Sequence, residues 1–136
     1  MTALTADRDT QNRAGARFSY PAKAGVKFFV GAIAAIDSAT GFATKGAAST
    51  TLKGAAIVQE QIDNTAGADG AANVPVKRGL WRVANSAGAD QITFKDVGSN
   101  AYIVDDQTVA KTDGGATRSI AGIVCDVDPA GVWVEF

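Results

Sequence analysis

Residues 73–90, NVPVKRGLWRVANSAGAD, decide the fold because they hold the clearest strand pattern in the chain. In a β-strand, side chains point alternately to the two faces of the sheet. By this alternation the two valines at the start of this stretch and Leu80 have the same parity, whereas Trp81 has the opposite parity. An extra or kinked residue shifts such a pattern by one position. We therefore predict a strand with a bulge or kink at Gly79, where the sheet bends or changes partners. Pro75 cannot donate to a strand ladder, so this end of the strand is expected at an edge or outside the pairing.

Outward from this stretch, residues 26–136 consist of short apolar segments separated by glycines and by Asp, Asn, Ser or Thr turns. This pattern is typical of a sandwich or small barrel rather than of alternating strands and helices. No helical stripe persists, and one short helical turn at most is expected at Thr93 and Asp96, which have capping-box spacing. We predict an all-β fold, a small antiparallel β-barrel or sandwich of about eight or nine short strands with an extended N-terminal arm. The predicted strands are 26–30, 32–37, 41–45, 52–62, 74–84, 101–104, 108–111, 119–127 and 131–136.

Two segments have the sequence of a tight hairpin. Residues 37–43, DSATGFA, place Gly41 where a turn needs positive φ and offer the Asp37 side chain to the turn backbone. Residues 128–131, DPAG, match a turn with proline at its second position. In the strand that follows, the residues predicted to face the core are Val132, Val134 and Phe136, and those predicted to face outwards are Trp133 and Glu135.

The pattern N-[ST]-A-G-A-D occurs twice, at residues 64–69 and 85–90. Each copy follows a predicted strand, and two short copies do not indicate a solenoid. We predict two loops, each closed by an Asx-type hydrogen bond from its asparagine and by a left-handed glycine.

The N-terminal region differs from the rest of the chain in charge. Residues 1–27 contain five basic and two acidic side chains, a net charge of +3, which leaves −4 for the remainder of a chain with net charge −1. We assign residues 1–24 to an extended arm and residues 25–136 to a single β domain. Such an arm is either a solvated tail or a segment that docks on an acidic neighbour. Phe18 and Tyr20 favour a contact role, because exposed large apolar groups mark contact surfaces.

Reactive side chains are scarce. The chain contains no histidine, which excludes Ser–His and Cys–His triads and zinc sites built from Cys and His. Five aspartates of the C-terminal third could gather around Ca²⁺ or form a glycosidase pair, but a role as turn formers and edge charges is favoured. Cys125 lies in an apolar run and is expected to be a buried, inert thiol. The five aspartates are Asp105, Asp106, Asp113, Asp126 and Asp128. We predict no enzymatic activity, no cofactor and no metal site.

One basic cluster, Lys77, Arg78 and Arg82, has an aromatic residue, Trp81, beside it, as in platforms for single-stranded nucleic acid. A net charge of −1 gives no electrostatic footprint for nucleic acid, so we expect this cluster to cover apolar surface or to meet a protein partner. No apolar run approaches the roughly 20 residues of a membrane span. The N-terminus has neither a basic start nor an apolar h-region, so we expect no secretory signal.

Residues 20–136 resemble the capsid cement or head decoration proteins of tailed bacteriophages. The most specific pieces are D-N-T-A-G-A-D-G at 63–70, A-Y-I-V-D-D-Q-T-V-A-K at 101–111, and A-G-I-V followed by G-V-W-V near the end. All of them are turns and strands, so the resemblance transfers no catalytic residue.

The resemblance implies a structural virion protein on the outer surface of the capsid, present in the host cytoplasm during assembly. It would bridge subunits of the major capsid protein and form a homo-oligomer, with a trimer favoured over a dimer. The N-terminus is longer than in the commonest form of the family, and its candidate capsid-contact residues are Arg13, Arg17, Phe18 and Tyr20. The alternative is a surface-exposed host-attachment or carbohydrate-binding module that uses Trp81, Trp133 and the loop aspartates.

Overall fold

A computed structural model describes residues 2–11, 13 and 15–136. These residues form strands joined by turns, with two isolated 3-10 turns, so the predicted all-β fold is confirmed. Among these residues the strands number twelve rather than eight or nine, and there are two helical turns rather than one at most. The strands are β1 (Arg17–Pro21), β2 (Lys27–Phe28), β3 (Ile33–Asp37), β4 (Phe42–Lys45), β5 (Leu52–Val58), β6 (Ile62–Asp63), β7 (Asn73–Lys77), β8 (Leu80–Asn85), β9 (Asn100–Ile103), β10 (Thr108–Ala110), β11 (Ile120–Asp128) and β12 (Gly131–Glu135). The 3-10 turns are Gly88–Asp90 and Phe94–Asp96.

The strands form a five-stranded sheet beside a closed five-stranded barrel. The sheet has the order β1-β7-β5-β3-β4, and the barrel has the order β10-β8-β12-β11-β9. Strands β2 and β6 make a separate small pair. A bridge between Ala22 and Ala43 brings the two outer strands of the sheet towards each other, so the sheet is strongly curled. All strand pairs are antiparallel except β8 with β10.

Strands β3 and β5 are buried on both faces and connect the two halves. In β3, Ile33 packs into the core shared with the barrel, whereas Ala34 packs into the second core, inside the curled sheet. Ile57 and Val58 of β5 divide in the same way. Strands covered on both faces have continuous apolar sequences, which explains the runs IAAI and AAIV. Each fully buried valine or isoleucine contributes roughly 1.5–3 kcal/mol.

Gly79 separates the sheet from the barrel. Strand β7 ends at Lys77 in the sheet and β8 begins at Leu80 in the barrel, with Gly79 at φ 132° between them. The predicted change of partners at Gly79 is confirmed, although the segment is two strands rather than one kinked strand. The apolar side also changes near Gly79, since the buried residues before it are the two valines of β7 and the buried residue after it is Val83, which has the opposite parity. Leu80 is 53% exposed, and Trp81 packs against the barrel core.

Pro75 does not lie in an edge strand, since β7 pairs with β1 on one side and β5 on the other. It faces Ser19 of β1, and its carbonyl accepts from the Gln59 N–H at 2.9 Å. The register of β5 with β7 includes only Val76 and Lys77 of β7. The expectation that Pro75 lies at an edge or outside the pairing is therefore wrong, since Pro75 is paired with β1; only the register with β5 stops before it, because Pro75 has no N–H to donate on that side.

Both hairpin predictions are confirmed. The Gly41 N–H donates to the Asp37 carbonyl at 2.7 Å, the Asp37 side chain accepts from Ala39 N–H, and Gly41 has φ 79°. The second turn joins β11 to β12, with the Asp128 side chain accepting from Ala130 N–H at 2.8 Å. In β12 the predicted inward residues are buried: Val132, Val134 and Phe136.

The two copies of the repeat differ in structure. Asn64 is 3% exposed, and its Nδ2 donates to the Lys23 carbonyl on a distant segment as well as to the Ala68 carbonyl. Asn85 instead makes two reciprocal bonds with the Ile92 backbone. The asparagines do close both loops, but not by short Asx turns. A left-handed glycine occurs only in the second copy, at Gly88, where φ is 67°.

Two local predictions had different outcomes. The turn at Phe94–Asp96 has the predicted capping box, with Thr93 N–H donating to the Asp96 carboxylate at 2.8 Å. Cys125 is exposed, so its predicted burial is wrong. Val124 takes the inward position, and the register shift between Val124 and Asp126 leaves Cys125 on the outer wall of the barrel.

Candidate interaction surface

Strand β1 is the outer strand of the sheet and carries a backbone edge free for pairing. It lies within the segment assigned to the arm, and it pairs with β7 from Arg17 opposite Lys77 onwards. Arg78 N–H donates to the Ala16 carbonyl. Because hydrogen-bonded and non-hydrogen-bonded positions alternate along an antiparallel pair, this bond determines which residues of β1 point their backbone groups towards β7. By that alternation, the amide groups of Arg17 and Ser19 point away from β7. Among the described residues, none pairs with that side of β1 at Arg17 and Ser19; beyond the end of the strand, that side is closed by the bridge of Ala22 to Ala43 of β4.

The aromatic pair predicted as contact residues anchors β1 within its own sheet. Phe18 and Tyr20 are half-buried against the second core, with their rings stacked at 6.3 Å between centroids. The Tyr20 hydroxyl donates to the Gly54 carbonyl at 3.0 Å. Burial raises the pKa of Tyr20, and the nearby Arg78 opposes part of this increase. Packing within the chain thus accounts for both aromatic rings, and their role in capsid contact stays a prediction.

Four cations follow the β1–β7 edge, and we call them the basic strip: Arg13, Arg17, Lys77 and Arg78. Arg17 and Lys77 face each other across the strand pair on one face of the sheet, whereas Arg78, the residue after Lys77, lies beside the same edge on the opposite face, near Tyr20. The Arg13 guanidinium lies 5.2 Å from the centre of the Phe18 ring. Arg13 and Arg17 were predicted as capsid contacts, whereas Lys77 and Arg78 were assigned to a separate basic cluster that covers apolar surface or meets a protein partner. The alternation of polar and aromatic residues in RFSY, residues 17–20, was the available signal that β1 is a strand. The closeness of Lys77 to Arg17 could not be predicted in this way, because it depends on the pairing of two distant segments.

The cluster of Lys77, Arg78, Trp81 and Arg82 does not form one face, contrary to expectation. Trp81 points towards the barrel core, where its Nε1 has no hydrogen-bond partner among the described residues. Arg82 is on the outer wall, 3.6 Å from the Asp128 carboxylate. The strand change at Gly79 separates the two halves of the cluster.

Trp133 is held on the outer wall of the barrel by Asp128 and Arg82. Its Nε1 donates to Asp128 Oδ2 at 2.9 Å, and the Arg82 guanidinium lies 5.7 Å from its ring centre. The hydrogen bond from Trp133, followed by that from Ala130 N–H, lowers the pKa of Asp128. Trp81 and Trp133 therefore do not share a surface on which a sugar ring could stack.

The aspartates considered as a metal or catalytic group organise separate turns. Asp105 accepts from the N–H groups of Gln107 and Thr108, and Asp113 accepts from Gly115 N–H. No group of three or more His, Cys, Asp or Glu side chains suited to a metal ion occurs in residues 2–11, 13 and 15–136.

A cleft of about 480 Å³ lies between β5, β9 and the loop that precedes β11. Arg118 lines it, but its guanidinium donates to Asp90 at 3.2 Å and to the Thr112 carbonyl at 3.1 Å. The hydrogen bond from the Thr112 hydroxyl, followed by that from Arg118, lowers the pKa of Asp90. Arg118 and Asp113 at this cleft therefore hold the loop in place.

No family model, curated protein or solved structure matches the chain. Across the part of the chain that the structure describes, no helix is long and apolar enough to cross a membrane.

Proposed function

We propose that the chain is a non-enzymatic structural protein of a tailed-phage virion that decorates and cements the capsid by bridging subunits of the major capsid protein. The observation that carries the proposal is the free edge of β1 at Arg17 and Ser19, which follows an exposed N-terminal segment. An edge of this kind binds another polypeptide by main-chain hydrogen bonds, whatever the side chains of the partner.

The resemblance to capsid cement proteins supports the same proposal. Its most specific pieces form the Asn64 loop, the strands β9 and β10, and the hairpin of β11 and β12. These pieces build the scaffold, and the aspartates among them hold turns. A rigid scaffold with a free edge is suited to bridging neighbours rather than to turnover.

The proposal places a homo-oligomer, favoured as a trimer, on the outer surface of the capsid after assembly in the host cytoplasm. Exposed apolar side chains on the barrel wall are suited to subunit contacts. Leu80 and Ile123 flank Glu135 on neighbouring strands and are 53% and 39% exposed.

The alternative function, a host-attachment or carbohydrate-binding module on the phage head, ranks second. The two tryptophans that would form its site lie on different sides of the barrel wall. Binding of the isolated protein to a glycan array or to host cells would favour this alternative.

The direct test of cementing is binding to mature heads that lack the protein. Purified protein should bind such heads saturably in a sedimentation assay, and it should raise the temperature at which the heads release DNA. Failure of the wild-type protein to bind at any salt concentration would refute the proposal.

The contribution of the β1 edge can be tested with Ser19→Pro. The N–H of Ser19 points away from β7, so proline removes a donor that the fold does not use. We expect Ser19→Pro to fold and to bind heads at least tenfold more weakly, whereas the matched control Ser19→Ala binds like wild type. Equal binding by both variants would exclude pairing through this edge.

A further inference from the structure

Arg17 and Lys77 are direct cross-strand partners with the same charge. Side chains opposite each other in an antiparallel pair have Cβ atoms about 4.5–5.5 Å apart, and like charges at this distance destabilise the pair. The arrangement is therefore unfavourable for the isolated fold. A repulsive pair of this kind in a folded protein is expected where the surface has a function.

No counterion among the described residues relieves this repulsion. Within residues 2–11, 13 and 15–136, the ion pairs are Lys23–Asp37, Arg82–Asp128 and Arg118–Asp90, and none of them includes a residue of the basic strip. The strip therefore concentrates four cations on one edge, while the rest of the chain has a net charge of −5 (−1 minus +4).

We infer that the basic strip recognises an acidic patch on a protein partner, and this inference rests on the proposed function, under which the partner is the major capsid protein. The strip borders the free backbone groups of Arg17 and Ser19, so one partner segment could pair with β1 and neutralise the cations beside it. Only a polypeptide can satisfy both features at once.

A nucleic acid fits this surface less well. Affinity for a polyanion grows with the number of phosphates that are neutralised, and the strip offers only four cations. A longer polyanion would extend from the strip onto the rest of the chain, which has a net charge of −5. A short acidic segment that pairs with β1 can reach the cations on both faces of this edge.

The test compares Arg17→Glu with a matched control, Lys95→Glu. Both variants change the net charge by the same amount, and Lys95 is an exposed residue on a 3-10 turn outside the strip. Because Arg17→Glu places a carboxylate opposite Lys77, its melting temperature should equal or exceed that of the wild type. Its affinity for mature heads should nevertheless fall at least tenfold, and Lys95→Glu should bind like wild type.

Salt dependence and a DNA probe complete the experiment. Wild-type binding to heads should weaken at least tenfold between low and high salt, and Arg17→Glu, which halves the net charge of the strip, should lose about half of this dependence. Head binding by Arg17→Glu equal to that of the wild type would overturn the inference and leave the proposed function intact. Tighter wild-type binding to a double-stranded DNA oligonucleotide than to heads, lost in Arg17→Glu, would overturn it in favour of nucleic acid. If the wild type does not bind heads at all, the proposed function fails and this inference fails with it.

Discussion

Replacing Asn64 by aspartate tests whether a buried amide fastens the first repeat loop to the segment after β1. Asn64 is 3% exposed, and its Nδ2 donates to the carbonyls of Lys23 at 2.9 Å, Ala68 at 3.1 Å and Ala22 at 3.4 Å. Aspartate keeps the shape of the side chain but turns this donor into an acceptor that faces carbonyl oxygens. Each buried group left unsatisfied costs about 1–3 kcal/mol, so the two shorter bonds together give about 2–6 kcal/mol.

We expect a loss of about 3–5 kcal/mol at pH 7, a large part of the roughly 5–15 kcal/mol that stabilises a domain. For a chain of this size the melting temperature should fall by about 10–20 °C. The environment raises the pKa of the new carboxyl above its unfolded value of about 3.9, since its neighbours are acceptors. The penalty is therefore complete above the folded pKa and decreases as pH falls through that pKa, because the protonated acid can donate again.

The assay is thermal unfolding by circular dichroism between pH 7 and pH 4, with Asn85→Asp as the matched control. Asn85 is half-buried, loses one donated bond to the Ile92 carbonyl, and keeps an acceptor for Ile92 N–H, so a smaller loss of about 1–2 kcal/mol is expected. Equal melting temperatures for Asn64→Asp and wild type at pH 7, or a difference that does not narrow at lower pH, would refute the reasoning.

Three further predictions concern the glycines, the acid stability and the thiol. Gly67→Ala should destabilise the fold by about 1–3 kcal/mol in urea unfolding, because the new Cβ overlaps Asn64 Oδ1. At Gly88 the space around a new Cβ is open, so only the positive φ opposes alanine there. An unchanged urea midpoint for Gly67→Ala would contradict this packing. The wild-type melting temperature should fall as pH drops below about 4, because hydrogen bonds lower the pKa of four aspartates in the folded state; the stability they add is present above their unfolded pKa and is lost as pH falls through the folded values. These aspartates are Asp37, Asp63, Asp90 and Asp128, and a melting temperature constant from pH 7 to pH 2 would exclude their contribution. Cys125 should react with a thiol reagent in the native protein as fast as a free cysteine; reaction only after unfolding would place it in the core.

The features predicted correctly from sequence are those set by neighbouring residues. The hairpin at Gly41, the turn after Asp128 and the capping box of Thr93 each depend on a few side chains and the backbone beside them. Such local chemistry is written directly in the sequence.

The features that were missed depend on contacts between distant segments. Gly79 marked a break and a change of the apolar side, but only the completed barrel shows that a second strand starts there and leaves Leu80 outside. The separation into two cores was hidden because β3 and β5 are covered on both faces and show no alternation. The burial of Cys125 was predicted from its apolar neighbours, and a shift in strand register reversed it.

The candidate surface was predicted in part. Arg13 and Arg17 were recognised by their position in a basic N-terminal segment, whereas Lys77 belongs to the same surface through the β1–β7 register. The alternation of RFSY over residues 17–20 indicated a strand with its aromatic rings inwards. It was too short to stand out from the polar segment before it.

Under the proposed function the chain is encoded by a tailed phage, and the most direct test of this claim is a reconstruction of the virion of that phage. The account predicts density for this fold on the outer surface of the shell, with the free edge of β1 and the basic strip against an acidic segment of a capsid subunit, and with each copy touching more than one subunit. Density for the fold inside the head or on the tail, or its absence from purified virions, would contradict the account.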